Sequence, residues 1–557
     1  MALTPIEIEL MRNALSSIVD EVYGALMKSA YSTNIKERKD HSSAIFDADG
    51  RVVVQGESLP LHLASMLGLV EVVIAHHGKD SLRPGDMFVS NDPYVGKGSH
   101  LPDVALVAPV FHDDELVMFV ANIAHHADIG GMAPGSISGD MTEIYQEGLR
   151  IPPIRLISRG EINPDILELI LLNVRIPEER RGDYMAQVAA NRLGERRLKE
   201  LFRKYPPEDV KEACEEVILA AARRLRSCIA ELPDGVYAFE DVIDDDGQGV
   251  TNIPIKAKVT VSGSEMEFDF DGTGPQVKGS INNSMAGLQA SVLFAVKVLL
   301  DPDGFTNHGM LDPITIKAPE GTIVNASFPA ATAGRSQTCQ RIIDCVLGAL
   351  AQAIPERVIA ASNGANLLIA FSGERGNGSH YVYMESIGGG AGARFNKDGT
   401  DGVQVHVTNT SNLPIEALER EYPLMIERYE FVPDSGGGGE YRGGLALRRD
   451  YRSLGASMRF SVQGERFVSR PWGLFGGLDG DNGHHRILHD DGRVEELAAK
   501  TGVVPISGDS VVSITTPGAG GYGDPARRDK ERLEDDLRSG KFTETYFKAH
   551  YPTKSPD

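Results

Sequence analysis

Residues 91–153 read NDPYVGKGSHLPDVALVAPVFHDDELVMFVANIAHHADIGGMAPGSISGDMTEIYQEGLRIPP. Two apolar runs, Val104 to Phe111 and Leu116 to Ala124, flank His112-Asp113-Asp114-Glu115, so the stretch predicts a β-hairpin whose turn carries the charge. Pairing about that turn sets Asp103 opposite Ala124 or His125, with His100 a short step beyond. Imidazoles and carboxylates from His100-Leu101-Pro102-Asp103 and His125-His126-Ala127-Asp128 then gather at one open end of the ribbon. That donor set suits a divalent ion such as Mn, Zn or Fe. A slip of one residue turns a strand over, so the pattern leaves open whether His125 or His126 points at the ion. A single loop histidine is ordinarily a solvated one. The argument for an ion is that several ligands bracket one hairpin, followed by Gly130-Gly131 and a Pro134-Gly135-Ser136 turn.

Upstream, Thr4, Pro5 and Glu7 form a capping box that opens a helix, and Met11, Leu15, Ile18, Val22 and Leu26 recur at helical spacing as its core stripe. Ser43 to Phe46 and Arg51 to Val54 predict a second hairpin, turned by Asp47, Asp49 and Gly50. The run Lys36 to Asp40 before it reads as a solvated helix end, and His62 as a satisfied core histidine within reach of the same site.

Downstream, residues 163–230 are helical with solvated charged faces. Asp183, Gln187 and Asn191 share one face, which reads as wet rather than as a pocket lining. From Gly235 to about Thr322 short alternating runs predict an antiparallel sheet. Asp244-Asp245-Asp246 lacks the spacing of a calcium loop and reads as a turn. Asn282-Asn283-Ser284 opens a buried helix. A further helix opens at Arg335, Ser336, Thr338 and Gln340, whose end can hold an anion, although a simple cap is the commoner arrangement. The glycines of the C-terminal third fit neither GxxxxGK[ST] nor GxGxxG in a βαβ unit, so they argue for close backbone packing rather than a nucleotide site.

With 56 Lys plus Arg against 79 Asp plus Glu, the 557-residue chain has a formal charge of −23, a poor match to nucleic acid or an anionic membrane. No apolar run approaches a bilayer span, and MALTPIEIEL lacks the basic start of a signal peptide. Cys214, Cys228, Cys339 and Cys345 show no CxxC pair, which points to reduced thiols in a cytoplasm. The expected fold is mixed α/β (α+β). Residues 1–234 form helices and hairpins with the metal site, 235–525 a central sheet with helices and a Gly-rich β region, and 526–557 a charged, peripheral helical tail.

Along nearly its whole length the chain resembles the B subunits of ATP-dependent hydantoinases, 5-oxoprolinases and acetone or acetophenone carboxylases. SNDPYVGKGSHLPDVALVAPVF, AHHADIGGMAPGS, EGLRIPP, NTSNLPIEALEREYP, PDSGGGGEYRGGLALRR and PGAGGYGDP carry the resemblance, each loose alone but specific in that order. It implies a metal held by His100, Asp103 and His125, with His126 the second choice of histidine. It also sets Asp40, from a Glu-Arg-x-Asp element, near the reaction centre, so that Asp40 or the spare His126 would move protons. ATP is implied on a separate, actin-like A subunit that phosphorylates a cyclic amide, in a hetero-oligomer with two copies of each subunit. Cyclic-amide hydrolysis is the preferred activity; the alternatives are ketone carboxylation and a non-catalytic, metal-stabilised scaffold.

Overall fold

The computed structural model describes residues 3–56, 59–455 and 457–551; the last six residues of the expected tail lie outside them. The quoted hairpin is the middle of a seven-stranded sheet. Its strands are β1 (His41–Asp47), β2 (Val52–Gln55), β3 (Met87–Ser90), β4 (Asp103–His112), β5 (Glu115–His125), β6 (Ile154–Ser158) and β7 (Glu161–Ile162), in the order β2-β1-β5-β4-β3-β6-β7. All neighbours are antiparallel. β4 and β5 turn at Asp113 and Asp114, both at positive φ, the backbone a tight hairpin requires. Their register sets Asp103 directly opposite His125.

Both faces of this sheet are covered, which is why its strands read as continuous apolar runs. Phe119, Ala121 and Ile123 of β5 point into one core, and Val120 and Ala124 into another. The second core is closed by α1 (Pro5–Ser29), which opens with the expected capping box. The first is reached by α2 (Pro60–Met66). Two long helices follow, α3 (Pro177–Lys204), which lies on the α1 side, and α4 (Pro207–Ile229), whose residues enter both cores.

A second sheet comprises β8 (Gly235–Asp245), β9 (Thr251–Ser262), β10 (Glu265–Asp269) and β11 (Ile314–Lys317). β11 runs parallel to β10, where an all-antiparallel sheet was expected. The cause is connectivity: the buried helix α5 (Met285–Leu300) intervenes, and such a crossover returns the chain in the same direction. Helix α6 (Arg335–Leu350) is buried along its whole length, and the core around it draws on residues from Ala44 to Val407, across the change of texture at 234/235.

Two further sheets span Leu367–Thr515 and share a core containing Phe371, Tyr383, Tyr451 and Phe460. The glycines beside them let backbones touch. A Cβ on Gly390 would meet the Gly444 carbonyl oxygen at 2.3 Å, and one on Gly443 the Ala519 oxygen at 1.9 Å. Gly443→Ala should therefore cost about 1–3 kcal/mol, read as a lowered urea midpoint, because the contact is backbone against backbone and neither segment has a side chain to move aside. The tail is less peripheral than its charge suggested: Arg528 is buried between Asp398 and Asp536. All four cysteines are free, and among the described residues no helix is long and apolar enough to cross a membrane.

Candidate metal centre

Strand alternation settles which histidine accompanies Asp103. Odd positions of β5 face α2, α5 and α6, so His125 joins Asp103 on that side. His100 returns to the same point from the turn before β4. One ligand atom from each of His100, Asp103 and His125 lies within 4.8 Å of the others, and all three residues are buried.

Each ligand is held from behind. The Nδ1 of His100 lies 3.2 Å from the Ala333 carbonyl oxygen, which can only accept, so Nδ1 carries the hydrogen and Nε2 presents its lone pair. Asp103 Oδ2 accepts from Ser99 Oγ at 2.7 Å and from Arg335 Nη2 at 2.8 Å, leaving Oδ1 to face His100 Nε2 at 3.2 Å. Asn34 donates to the His125 carbonyl at 2.6 Å and lies 3.1 Å from its Nδ1, while Arg38 holds the Asn34 oxygen.

Asp40 and His62 complete the cluster. His62 Nε2 lies 3.4 Å from Asp103 Oδ1 and 3.8 Å from Asp40 Oδ1, and its Nδ1 is 3.0 Å from Ser42 Oγ. Asp40 Oδ1, His62 Nε2, His100 Nε2 and Asp103 Oδ1 are buried without any hydrogen-bond partner. Four converging orphans are costly unless something binds them, and two imidazole lone pairs with carboxylate oxygens suit a divalent cation. His62 is thus not the satisfied core histidine its apolar neighbours suggested. The apolar LPLHLAS context left His62 within reach of the site but favoured a core role, and the path of α2 across the sheet brings this side chain to Asp103.

Burial makes His100 and His125 harder to protonate, with the Arg335 guanidinium adding to the effect at the first and His100 at the second, so both stand as neutral imidazoles. The two carboxyls are driven apart. Burial alone would raise Asp103, but the positive charge that His100 and His62 can take up, with the permanent one on Arg335, holds it well below the usual carboxylate range. For Asp40 burial wins over His62 and Arg38, and its carboxyl is pushed up. An ionised ligand beside a carboxyl of raised pKa is the arrangement that separates binding from proton transfer.

His126 is not brought into this cluster. It sits on the opposite sheet face, its Nε2 3.0 Å from Gln187 Oε1 and its ring against Tyr184, and burial followed by Arg180 lowers it to about 4. The face expected to be wet is buried there. Gln187 bonds Asn122 and the Val104 carbonyl, Asn191 bonds the Leu106 carbonyl, and Asp183 accepts from the Tyr31 and Ser32 amides. Polar spacing on α3 matches polar groups on the sheet, not solvent. The first turn of α6 has no side-chain cap; Arg335, Ser336, Thr338 and Gln340 each bond outward to other segments.

Glu147 of EGLRIPP supports the centre at one remove. It accepts from the Thr332 and Ala333 amides at 2.5 and 2.7 Å, fixing the carbonyl that orients His100. Burial pushes its carboxyl up to about 8 against those bonds. An acid raised on folding lends stability below its unfolded pKa and loses it as pH climbs through the folded one. Thermal stability should therefore fall between about pH 5 and pH 8, and Glu147→Gln should flatten that slope; an unchanged slope refutes the assignment.

Fold and site together define a class: mixed α/β chains that bury two histidines and a carboxylate close enough to hold one cation, beside a further carboxyl and imidazole that each keep one unpartnered atom. The chain belongs to the hydantoinase B/oxoprolinase family, whose profile matches residues 4–525. It is 33% identical to caprolactamase subunit beta of Pseudomonas jessenii, over 96% of this chain and 94% of that one. It is also 33% identical to 5-oxoprolinase 1 of Arabidopsis thaliana, over 93% of this chain but 42% of that longer protein. The crystal structure of the ATP-dependent caprolactamase from P. jessenii superposes with a TM-score of 0.92, covering 100% of this chain and 97% of that one at 30% identity. Acetone carboxylase, at 18% identity and a TM-score of 0.93 over 98% of this chain and 79% of that one, shares the fold.

Proposed function

We propose that the chain is the B subunit of an ATP-dependent cyclic-amide hydrolase, acting on an intermediate that a partner A subunit phosphorylates. The observation that carries the reading is the set of four buried, unpartnered atoms at His100, Asp103, His62 and Asp40. Kinship with caprolactamase and 5-oxoprolinase supports the substrate class. His100, Asp103 and His125 would hold Mn, Zn or Fe; such an ion polarises a bound oxygen and lowers the pKa of a water it holds. Asp40 takes the proton of the attacking water and returns it to the ring nitrogen as the C–N bond breaks, and the acyl phosphate so formed is cleaved by a second water to carboxylate and phosphate. His62 lies between Asp40 and Asp103 and keeps the transferred proton next to the centre. Arg335 keeps Asp103 ionised and therefore a ligand. We place ATP on the partner, two copies of each subunit in the complex, and the complex in the cytoplasm, in keeping with four free cysteines.

The test is metal analysis of the purified chain together with turnover of the reconstituted complex against cyclic amides, ketones and ATP. Ring opening that requires ATP, partner and metal supports the reading. Full activity of metal-free protein refutes it, as does bicarbonate-dependent ATP turnover with a ketone and none with a cyclic amide.

A further inference from the structure

Resting on that reading, we propose that Arg38 anchors a phosphoryl subsite, which holds the phosphate of the intermediate made on the partner next to the metal centre. The observation that carries it is a buried charge with no counter-charge. Arg38 is 0% exposed, and among the described residues no carboxylate lies within ion-pair distance of it. Every other buried arginine among them has a carboxylate within 3.3 Å. Arginine keeps its charge in a protein interior, and an uncompensated buried charge is costly, so the position suits an anion that a ligand brings. The carboxylates of the centre do not answer it: Asp103 is held by Arg335 at 2.8 Å, and Asp40 Oδ1 faces His62 at 3.8 Å.

The donors around Arg38 fit a phosphoryl group. Nη1 donates to the Asn34 side-chain oxygen and to the Met384 carbonyl, and Nη2 to Ser386 Oγ at 2.7 Å and Thr410 Oγ1 at 3.3 Å. Each hydroxyl accepts from Nη2 and keeps its own hydrogen to give. Nε is buried and donates to nothing. One N–H and two hydroxyls about a guanidinium match the three acceptor oxygens of a phosphoryl group better than the two of a carboxylate.

A single residue joins this subsite to the centre. Asn34 accepts from Arg38 and donates to the His125 carbonyl at 2.6 Å, with its amide nitrogen 3.1 Å from His125 Nδ1. Asp40 follows two residues after Arg38, and its carbonyl accepts from the His125 amide at 3.0 Å. The cover is one loop deep, from the start of NTSNLPIEALEREYP. Thr410 is buried against Arg38, Asn409 and Ser411 on either side are exposed, and the Ser411 amide donates to the Arg38 carbonyl at 3.1 Å. A shift of that loop opens Arg38 to a ligand. The phosphate stays on the reacting carbon until the second water releases it, so anchoring it at Arg38 positions the carbon throughout.

Inorganic phosphate, the product, is the probe for the metal-loaded full chain. Calorimetry should show it binding the wild type, and Arg38→Gln should weaken binding at least about tenfold with metal content unchanged, Arg38→Lys less so. Saturating phosphate should raise the Tm of the wild type but not of Arg38→Gln, and acetate should not compete. In the reconstituted complex, Arg38→Gln should keep consuming ATP with a cyclic amide while rings opened per ATP fall at least about tenfold, a split that a purely structural residue would not give. No phosphate binding to the wild type, or wild-type affinity in Arg38→Gln, overturns the subsite. Should Arg38→Gln fail to fold, Thr410→Val decides: phosphate binding weakened at least about threefold supports the subsite, and unchanged binding overturns it. Arg38-dependent phosphate binding in a complex that opens no ring leaves the subsite standing and refutes the function proposed above.

Discussion

Asp103→Ala should yield a chain that holds no metal and is also destabilised by about 3–5 kcal/mol, whereas His100→Ala should lose the metal and stay folded. The difference follows from what each side chain does apart from ligation. Asp103 is the buried counter-charge of Arg335, whose side chain is 4% exposed and, among the described residues, has no other carboxylate within ion-pair distance. Removing the carboxylate strands a guanidinium inside the protein, which costs far more than the pair itself contributes. His100 makes one hydrogen bond to a carbonyl, so its loss costs about 1–3 kcal/mol. Urea melts of the metal-free variants, with metal analysis of each, separate the two. If Asp103→Ala melts with the wild type, Arg335 is satisfied some other way and the account of the centre fails. If His100→Ala also loses folding and assembly, the metal is a structural clamp and the scaffold alternative gains.

The parts of the centre that are local in sequence are legible there, and those that converge from afar are not. The β4–β5 hairpin was legible because two apolar runs and a charged turn sit within 21 residues, which narrowed the partner of Asp103 to Ala124 or His125; the structure pairs it with His125. The choice between His125 and His126 was not legible, since alternation says that the two point apart but not which sheet face carries the site. That face is decided by α2 and α6, which arrive from residues 60 and 335. His62 was undervalued for the same reason. Gln187 and Asn191 were misjudged because helical spacing identifies a common face without saying what covers it, and here a sheet with its own buried Asn122 does. The parallel β11 was hidden by its lack of a pattern separable from its neighbours; only the intervening α5 dictates its direction. The need for glycine at Gly390 and Gly443 was readable as composition, but not which backbone each one meets.

Asp40→Asn should leave metal binding intact, lower kcat by about 10²–10⁴-fold, and make the metal-free chain no less stable at pH 8 than the wild type. The first two expectations follow from position. Asp40 Oδ1 lies at the edge of the cluster, 3.8 Å from His62 Nε2, so an amide of the same shape preserves the ligands but cannot accept a proton. The third follows from the sign of its shift. Burial raises the Asp40 pKa, so the fold favours the neutral carboxyl, and stability present below the unfolded pKa is lost as pH rises through the folded one. Asparagine is neutral at every pH and escapes that loss. The wild type should therefore show kcat/KM rising with pH along an acidic limb that the variant lacks, and stability falling over the same interval. A residue retained only for structure would produce the reverse, a variant that melts early and turns over normally. Turnover within tenfold of wild type, or an acidic limb that persists in Asp40→Asn, would move the base to another group, and His62 would be the nearest candidate.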